Sequence, residues 1–529
     1  MSPTLECTTA AYVQVAANWQ ANFSALQSFQ LDLASRFSSA PEPQSWIFAR
    51  DGFLTTRTDA TWLSGCSVPL LAARSLLKTL ELTGTLGCFL NPSHAAQIRA
   101  ALEKIQPIQA LLIVIPRLSD LAIVLQCDDF SSEIGAGRLF FVAGEDWGDQ
   151  MAALFEKYPG LPLPQQFLRT LLLDDAEMHE MSGEAQKVIS RETNRRAEMA
   201  PRIISSARAQ GRILVVAGSR FNLADLSNLA LRRGLLGDDP FTAFDPDHPL
   251  TASPLALAQA AGNCSAIVAA DLFRADLPGT ISMETRWITW STTGRIAPPD
   301  PEAAGDAILL ADAAWKSDAI KAGWPADRIR IAGWPQILPA PPTPPGAPVA
   351  AILADTRTIE IPQKIRDFSS QLLLWEFIEE ELKNKPMALD QNIDRYLDAR
   401  QKRFNIPGET LDRAMFLNRL IRPAYQQGSA RLVMKHRIRP GLIGRGWSEI
   451  QEFKAYAMGP AESLDDLARM LAGCHFLIKA FPTDGAVISA LPMRVVSIAD
   501  IAGVIHSSGC TSGASQPILN RELIGSLIQ

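Results

Sequence analysis

The chain has 529 residues, 47% apolar and 20% charged, with a formal net charge of −6. Such a length and composition predict two to four folded domains and exclude wholesale disorder, while the net acidity excludes a general attraction to nucleic acid or to an anionic membrane. No apolar run approaches the roughly 18 residues of a membrane helix. The N-terminus lacks the basic and apolar regions of a secretory signal. Seven scattered cysteines without a CxxC pair predict neither a disulfide framework nor structural zinc, and the histidines show no ligand spacing. The expectation is a cytoplasmic protein without a transmembrane segment, a metal or a cofactor.

In chain order, residues 1 to about 40 predict one amphipathic helix, with Val13, Val15, Trp19, Phe23, Leu26, Phe29 and Leu33 among its apolar positions. Residues 46–57 predict a β-hairpin turning at Asp51-Gly52. Strands are expected at 85–90, 110–115 and 138–142, with helices near 69–78 and 94–104, followed by a long polar helix from Phe167 to about Gln210. Ser64-Gly65-Cys66-Ser67 places a thiol and two hydroxyls after the hairpin, but no neighbouring histidine makes it a nucleophile motif. This alternation predicts an N-terminal α/β domain over residues 1–200.

A second α/β series starts with a strand at 211–217 that runs into Gly218-Ser219-Arg220. A helix at 225–234 and strands at 265–270 and 281–289 follow. The series closes with a buried strand at 307–311, a helix stopped by Gly323-Trp324-Pro325, and a strand at 328–332 ended by Gly333-Trp334-Pro335. Prolines at 335, 339, 341, 342, 344, 345 and 348 make 336–348 a linker. A third series starts at 349–354 and accepts a helical insertion over 368–427. It continues with a strand from Arg439 into Gly444-Arg445-Gly446-Trp447, a helix from 463 to 472 with Ser463 as N-cap, and strands at 476–479 and 495–498.

The strongest chemical signal lies in this last series. Between Arg413 and Ser448 there are eight basic residues and no acid, in a chain that is acidic overall. The run ends in the glycine turn at the carboxyl end of an expected strand, where open α/β sheets bind ligands and small residues let a phosphate approach backbone N–H groups. The competing reading is a solvated basic face whose charges meet the acidic run 375–381. Seven tryptophans (287, 290, 315, 324, 334, 375 and 447) could stack on sugars, but packing between helix and sheet is the expected use. His475 and His248 read as structural, and 506–515 reads as a small-residue surface loop.

The segment 307–335, with its Gly-Trp-Pro turns, resembles the last strand–helix–strand unit of the first Rossmann-like domain of GT-B glycosyltransferases. Gly444-Arg445-Gly446-Trp447 is similar to the glycine turn of their nucleotide-sugar domain, and Ala490-Leu491-Pro492-Met493-Arg494-Val495-Val496 to the segment after their donor-binding helix. The resemblance covers about 205–529. It implies an α/β fold with two Rossmann-like domains in GT-B arrangement: an acceptor-side domain at 205–335, the linker at 336–348 as hinge, and a nucleotide-sugar domain at 349–529.

It further implies a metal-independent transferase moving a sugar from a nucleotide-diphosphate donor to a glycan or protein acceptor. The donor would meet Gly444, Arg445, Gly446, Lys479, Asp484 and Gly485. Gly218, Ser219 and Arg220 would form the acceptor-side turn, with Asp225 or Asp271 as candidate general base. One departure stands out: no glutamate occupies the place of the family's ribose-binding carboxylate, and Asp484 is the nearest acid. Two alternatives remain, a catalytically inactive GT-B-like binding or scaffold protein and a nucleotide-sugar 2-epimerase.

Overall fold

The computed structural model describes residues 3–528 except 38–44, 59–60, 64, 83, 170–173, 207–210, 220–225, 237–239, 336, 339–345, 390–392, 408–409, 480, 482–490, 492 and 497–517. The chain divides into two units. One consists of Met1–Arg208, Phe244–Asn263 and Gly279–Ser282; the other of Ala209–Ala243, Cys264–Pro278 and Met283–Gln529.

The first unit opens with the expected amphipathic helix, Pro3–Phe29, which breaks at Gln30 before a last turn at Leu31–Ala34. The break has a chemical cause. The Gln30 side-chain amide donates to Phe141 O at 2.8 Å and accepts from Phe141 N at 3.0 Å, so it pairs with the sheet as a strand would. Strands β1 (Trp46–Phe48) and β2 (Leu54–Thr58) form the expected antiparallel hairpin, and β3 (Thr61–Trp62) pairs with β2. Asp51, at the turn, accepts from the N–H groups of Leu70 and Leu71 and so caps the helix Pro69–Leu76.

The unit's main sheet is parallel and contains β4 (Leu86–Leu90), β5 (Ala110–Ile115), β6 (Leu139–Ala143) and β7 (Gln166–Arg169). Every residue of β4, β5 and β6 is buried, as a parallel sheet covered on both faces requires. The spatial order is β6-β5-β4-β7. β7 corrects the sequence reading, which put Phe167 inside the long helix. The helix starts at Asp175 and runs to Ser206, while Phe167 pairs with Cys88 of β4. A four-residue strand is too short to show a periodicity of its own.

The second unit holds two sheets. The first contains β8 (Arg212–Val216), β9 (Phe241–Phe244), β10 (Cys264–Ala270), β11 (Arg286–Ser291), β12 (Ala307–Leu310) and β13 (Ile329–Ile331), in the order β13-β12-β11-β10-β8-β9. Its strands from β8 through β10, β11 and β12 to β13 are parallel. The strand expected at 281–289 begins only at Arg286. The Gly-Trp-Pro unit is as expected: β12, the helix Lys316–Lys321, Gly323 at φ +99°, then β13.

The second sheet contains β14 (Val349–Leu353), β15 (Arg439–Ile443), β16 (Ala457–Gly459), β17 (Phe476–Ile478) and β18 (Val495–Val496), all parallel, in the order β16-β15-β14-β17-β18. The helical insertion between β14 and β15 extends to Lys435, beyond the expected 427, and packs Trp375, Tyr396, Phe416 and Leu420 into a core shared with Ile352, Leu442 and Ile478 of this sheet. Three sheets of parallel, doubly wound order make the chain α/β and Rossmann-like.

The two sheets of this unit share one apolar cluster. Trp290 and Trp334 lie 4.8 Å apart in it, beside Ala351, Ile443 and Leu477 of the second sheet and Leu519 and Ile524 near the C-terminus. Ile337 and Leu338, at the start of the proline linker, are buried there too. The C-terminal helix Arg521–Ile528 is tied to the first sheet: Arg521 donates to the carbonyls of Leu235 and Leu236, and Arg286 donates to Leu527 O at 2.6 Å. The Arg521 contacts satisfy carbonyls at the end of the helix Ser227–Leu235, where a cation is favoured. Trp287, Trp290, Trp375 and Trp447 are fully buried, so they pack the core and offer no face to a sugar.

Candidate functional site

In a sheet ordered β16-β15-β14-β17-β18 the chain leaves β14 toward one side and returns on the other, so the strand order reverses between β14 and β17. Ligands of open α/β sheets bind at the carboxyl ends flanking that reversal. Here those ends are Ala354-Asp355-Thr356-Arg357 after β14 and Lys479 after β17. The Gly444-Arg445-Gly446 turn follows β15, on the other side of β14. Arg445 and Lys479 therefore follow the strands on either side of β14.

The glycines of the turn have a physical reason that the sequence did not disclose. Gly444 sits at φ +138° and Gly446 at φ +80°; a Cβ would lie 2.1 Å from Ala354 O on the first and 2.0 Å from Thr356 O on the second. Both are required so that the β14 and β15 loops can touch backbone to backbone. The contact is sealed by hydrogen bonds: Ala354 N to Ile443 O (3.0 Å), Thr356 N to Arg445 O (2.9 Å), and Trp447 Nε1 to Ala354 O (2.7 Å). Two N–H groups expected to face a phosphate are already used, since Arg445 N donates to Asp355 Oδ1 at 2.7 Å and Gly444 N to Gly459 O at 2.9 Å. What the turn presents outward is the exposed Arg445 side chain, which makes no hydrogen bond or ion pair among the described residues.

The helical insertion reaches the same edge. Arg357 Nη2 donates to Asn418 O at 3.2 Å, and Gln427 Nε2 donates to Arg357 O at 2.9 Å. Asn418 lies in a π-helical turn, Leu417–Ile421, that leads into the helix Arg422–Lys435. Such turns are frequent at functional sites because they re-aim side chains within a helix. Arg422 stacks over the ring of Phe481, 4.6 Å from its centroid, and Tyr425 meets the same ring edge-on. Phe481 follows β17, so these contacts bring the insertion to the β17 side of the edge.

Members of the basic run serve different ends. Arg413 pairs with Asp394 and Asp398, and Arg431 makes a bidentate pair with Glu452 at 2.6 and 2.7 Å. The first pair lies within the insertion, and the second ties it to the segment between β15 and β16. In the acidic run 375–381, expected as the partner, Glu381 is taken by Arg400 and Tyr396 and Glu379 by Lys383. Arg357, Arg445 and Lys479 follow the carboxyl ends of β14, β15 and β17, and Arg422 stacks on Phe481 beyond β17. Asp484 and Gly485 lie outside the described residues.

In the other sheet of this unit the order reverses between β8 and β10, so Gly218 and Ser219 after β8 and Asp271 after β10 flank its carboxyl-edge crevice. Arg220 and Asp225 lie outside the described residues. Asp271 adopts φ +48°, a left-handed conformation that aspartate tolerates. Its carboxylate accepts from Thr292 N at 2.8 Å, Thr293 N at 3.2 Å, Thr293 Oγ1 at 3.0 Å and Thr292 Oγ1. Arg295 braces the loop, donating to Asp271 O and pairing with Asp276, which it holds below the usual carboxylate range. Both oxygens of Asp271 are thus engaged with the turn after β11. Among the described residues, no three His, Cys, Asp or Glu converge as a metal site.

In the first unit the reversal falls between β4 and β7, and two cavities of about 220 and 740 Å³ lie near the carboxyl ends, sharing Asn91 and Glu177. Beside them His94 caps the helix Ala95–Lys104: Nδ1 accepts from Ala96 N at 3.1 Å, and Nε2 lies 3.0 Å from Thr55 Oγ1. Burial pushes this imidazole down to about 4, although Asp51 opposes the shift.

Sequence reasoning missed Asp355 and Arg357. Their only signal was a charged tetrapeptide directly after a buried strand, and its importance depends on strand order, which is not readable from one sequence. No helix among the described residues is long and apolar enough to cross a membrane.

No protein-family model matches the chain, and no curated protein matches it. Among solved structures it is similar to the MAf glycosyltransferase from Magnetospirillum magneticum AMB-1, with 13% identity and a TM-score of 0.26. The match covers 56% of this chain and 56% of that one, so the chain spans little more than half of its length. So distant a likeness assigns no role to any residue.

Proposed function

We propose that the chain is a glycosyltransferase that takes a sugar from a nucleotide-diphosphate donor, with its two Rossmann-like sheets in the second unit arranged as in GT-B enzymes. The observation that carries this reading is the set of cations at the carboxyl edge of the β14–β18 sheet, with Arg445 and Lys479 on either side of the strand-order reversal. Their charge suits a diphosphate, which they would hold in the ground state and stabilise as it leaves. The acceptor, a glycan or protein, would lie against the Gly218-Ser219 edge of the other sheet.

The test is release of nucleoside diphosphate from UDP-, GDP-, CDP- and ADP-linked sugars by the full-length protein. Turnover of one donor, reduced at least tenfold by Arg445→Ala, supports the reading. A second reading, a GT-B-like binding or scaffold protein without catalysis, is favoured by the internal use of Asp271. It predicts nucleotide binding without turnover of any donor.

A further inference from the structure

We infer that Gln30, Arg36 and Gln150 act together as a surrogate strand that closes the free edge of β6 against pairing with a second copy of the chain, a role separate from the proposed nucleotide site. β6 is an edge strand, with β5 on one side only. Arg138 O and Gly144 N bond to β5, so in a strand whose polar groups alternate from residue to residue Phe141 and Ala143 turn theirs outward. All four of these groups are paired by side chains. The Gln30 amide donates to Phe141 O at 2.8 Å and accepts from Phe141 N at 3.0 Å. The Gln150 amide donates to Ala143 O at 2.6 Å and accepts from Ala143 N at 3.3 Å. Arg36 Nη1 adds a second bond to Ala143 O at 2.9 Å. Asp146 Oδ1 orients two of the three side chains, accepting from Arg36 Nη2 at 2.8 Å and from Gln150 Nε2 at 2.9 Å.

The strand itself explains the need. Leu139-Phe140-Phe141-Val142-Ala143 carries no charge, proline or glycine and is buried throughout. A short apolar segment of that kind with an open edge is a template for pairing with an identical segment. Edges are blunted by charge, by proline or by a covering element, and β6 has neither of the first two. Its cover is thin, because a cavity of about 270 Å³ lies beside the edge, lined by the same three side chains with Phe141, Val142 and Tyr158. A side-chain amide carries the same donor and acceptor as a peptide group. Two glutamines on alternate residues of β6 therefore reproduce the bonds of a partner strand. The partner they exclude is a strand with the chemistry of β6: two such edges meeting about a two-fold axis would pair reciprocally.

The experiment is sedimentation velocity of the full-length protein over a range of concentrations, with backbone hydrogen exchange of 139–143 followed alongside. Gln30→Ala/Gln150→Ala strips the four amide bonds from the edge. Its mean mass should rise with concentration to about twice that of wild type or more. In dilute solution its 139–143 amides should exchange about tenfold faster than in wild type, and association should restore their protection. Leu33→Ala is the matched control: it truncates a buried neighbour in the same segment without touching an edge bond, and its mass should stay that of wild type. If the double variant does not fold, Gln150→Ala, at a half-buried position, is measured in the same way. A folded variant that keeps the wild-type mass overturns the proposal. So does equal association of Leu33→Ala, which would trace the effect to lost stability, and so does association that leaves 139–143 unprotected.

Discussion

Adding one methyl group to the glycine turn should cost far more than its position on a loop suggests. In Gly446→Ala the new Cβ falls 2.0 Å from Thr356 O, against the 3.0 Å that real Cβ contacts respect, so one loop must retreat by about 1 Å. Holding alanine in the left-handed region costs about 1–2 kcal/mol. The retreat also breaks the Thr356 N to Arg445 O bond and the Arg445 N to Asp355 bond, worth about 1 kcal/mol and about 1.5–3 kcal/mol. The total is about 4–6 kcal/mol.

Gly459→Ala is the matched control. Gly459 has φ +88° with nothing within 4 Å of its Cβ position, so only the conformational cost of about 1–2 kcal/mol applies. Urea unfolding followed by tryptophan fluorescence reads the difference, since Trp447 and Trp290 are buried in the unit concerned. With a slope of about 2 kcal/mol per molar, the midpoint for Gly446→Ala should lie about 1.5 M below that for Gly459→Ala. Equal midpoints would refute the argument that the loops are welded through their backbones.

Two further perturbations test the packing around the sites. His94 is held at about 4 in the folded protein by burial, below the ordinary 6.5, so the unfolded chain binds the extra proton between these values. Stability is therefore full above pH 6.5 and falls by about 3 kcal/mol as the pH drops toward 4. His94→Asn, which keeps a capping acceptor, should flatten that part of the urea-midpoint profile; an unchanged slope would contradict the assignment. Arg274 and Asp306 form a buried pair at 2.8 Å in which Asp306 also accepts from Trp287 N. Removing one partner strands a buried charge, so Asp306→Ala should cost about 3–5 kcal/mol in the same unfolding assay. A cost below 1 kcal/mol would mean that the pair is hydrated.

The sequence was most legible where burial writes a continuous apolar run. β5, β10 and β14 lie where such runs occur, and Ser463 caps its helix through a bond from Asp466 N. It was least legible where structure depends on partners far along the chain. β7 and β16 are short and gain their identity only by pairing with β4 and β15. Gln30 ends a helix because it meets Phe141, 111 residues away. The candidate site shows the same division. Gly444, Arg445 and Gly446 stood out by composition, yet the reason for the glycines lies in Ala354 and Thr356, about 90 residues earlier. Asp355 and Arg357 acquire meaning only once β14 is seen beside the reversal of strand order.

The carboxyl edge of the β14–β18 sheet is proposed to bind the diphosphate of a nucleotide. Its most direct test is the dissociation constant of the full-length protein for UDP, GDP, CDP and ADP, compared with Arg445→Ala and Lys479→Ala. One nucleotide is expected to bind, each substitution to weaken it about tenfold or more, and added salt to weaken it further. Absence of binding to all four, or an affinity unchanged in both variants, would contradict it.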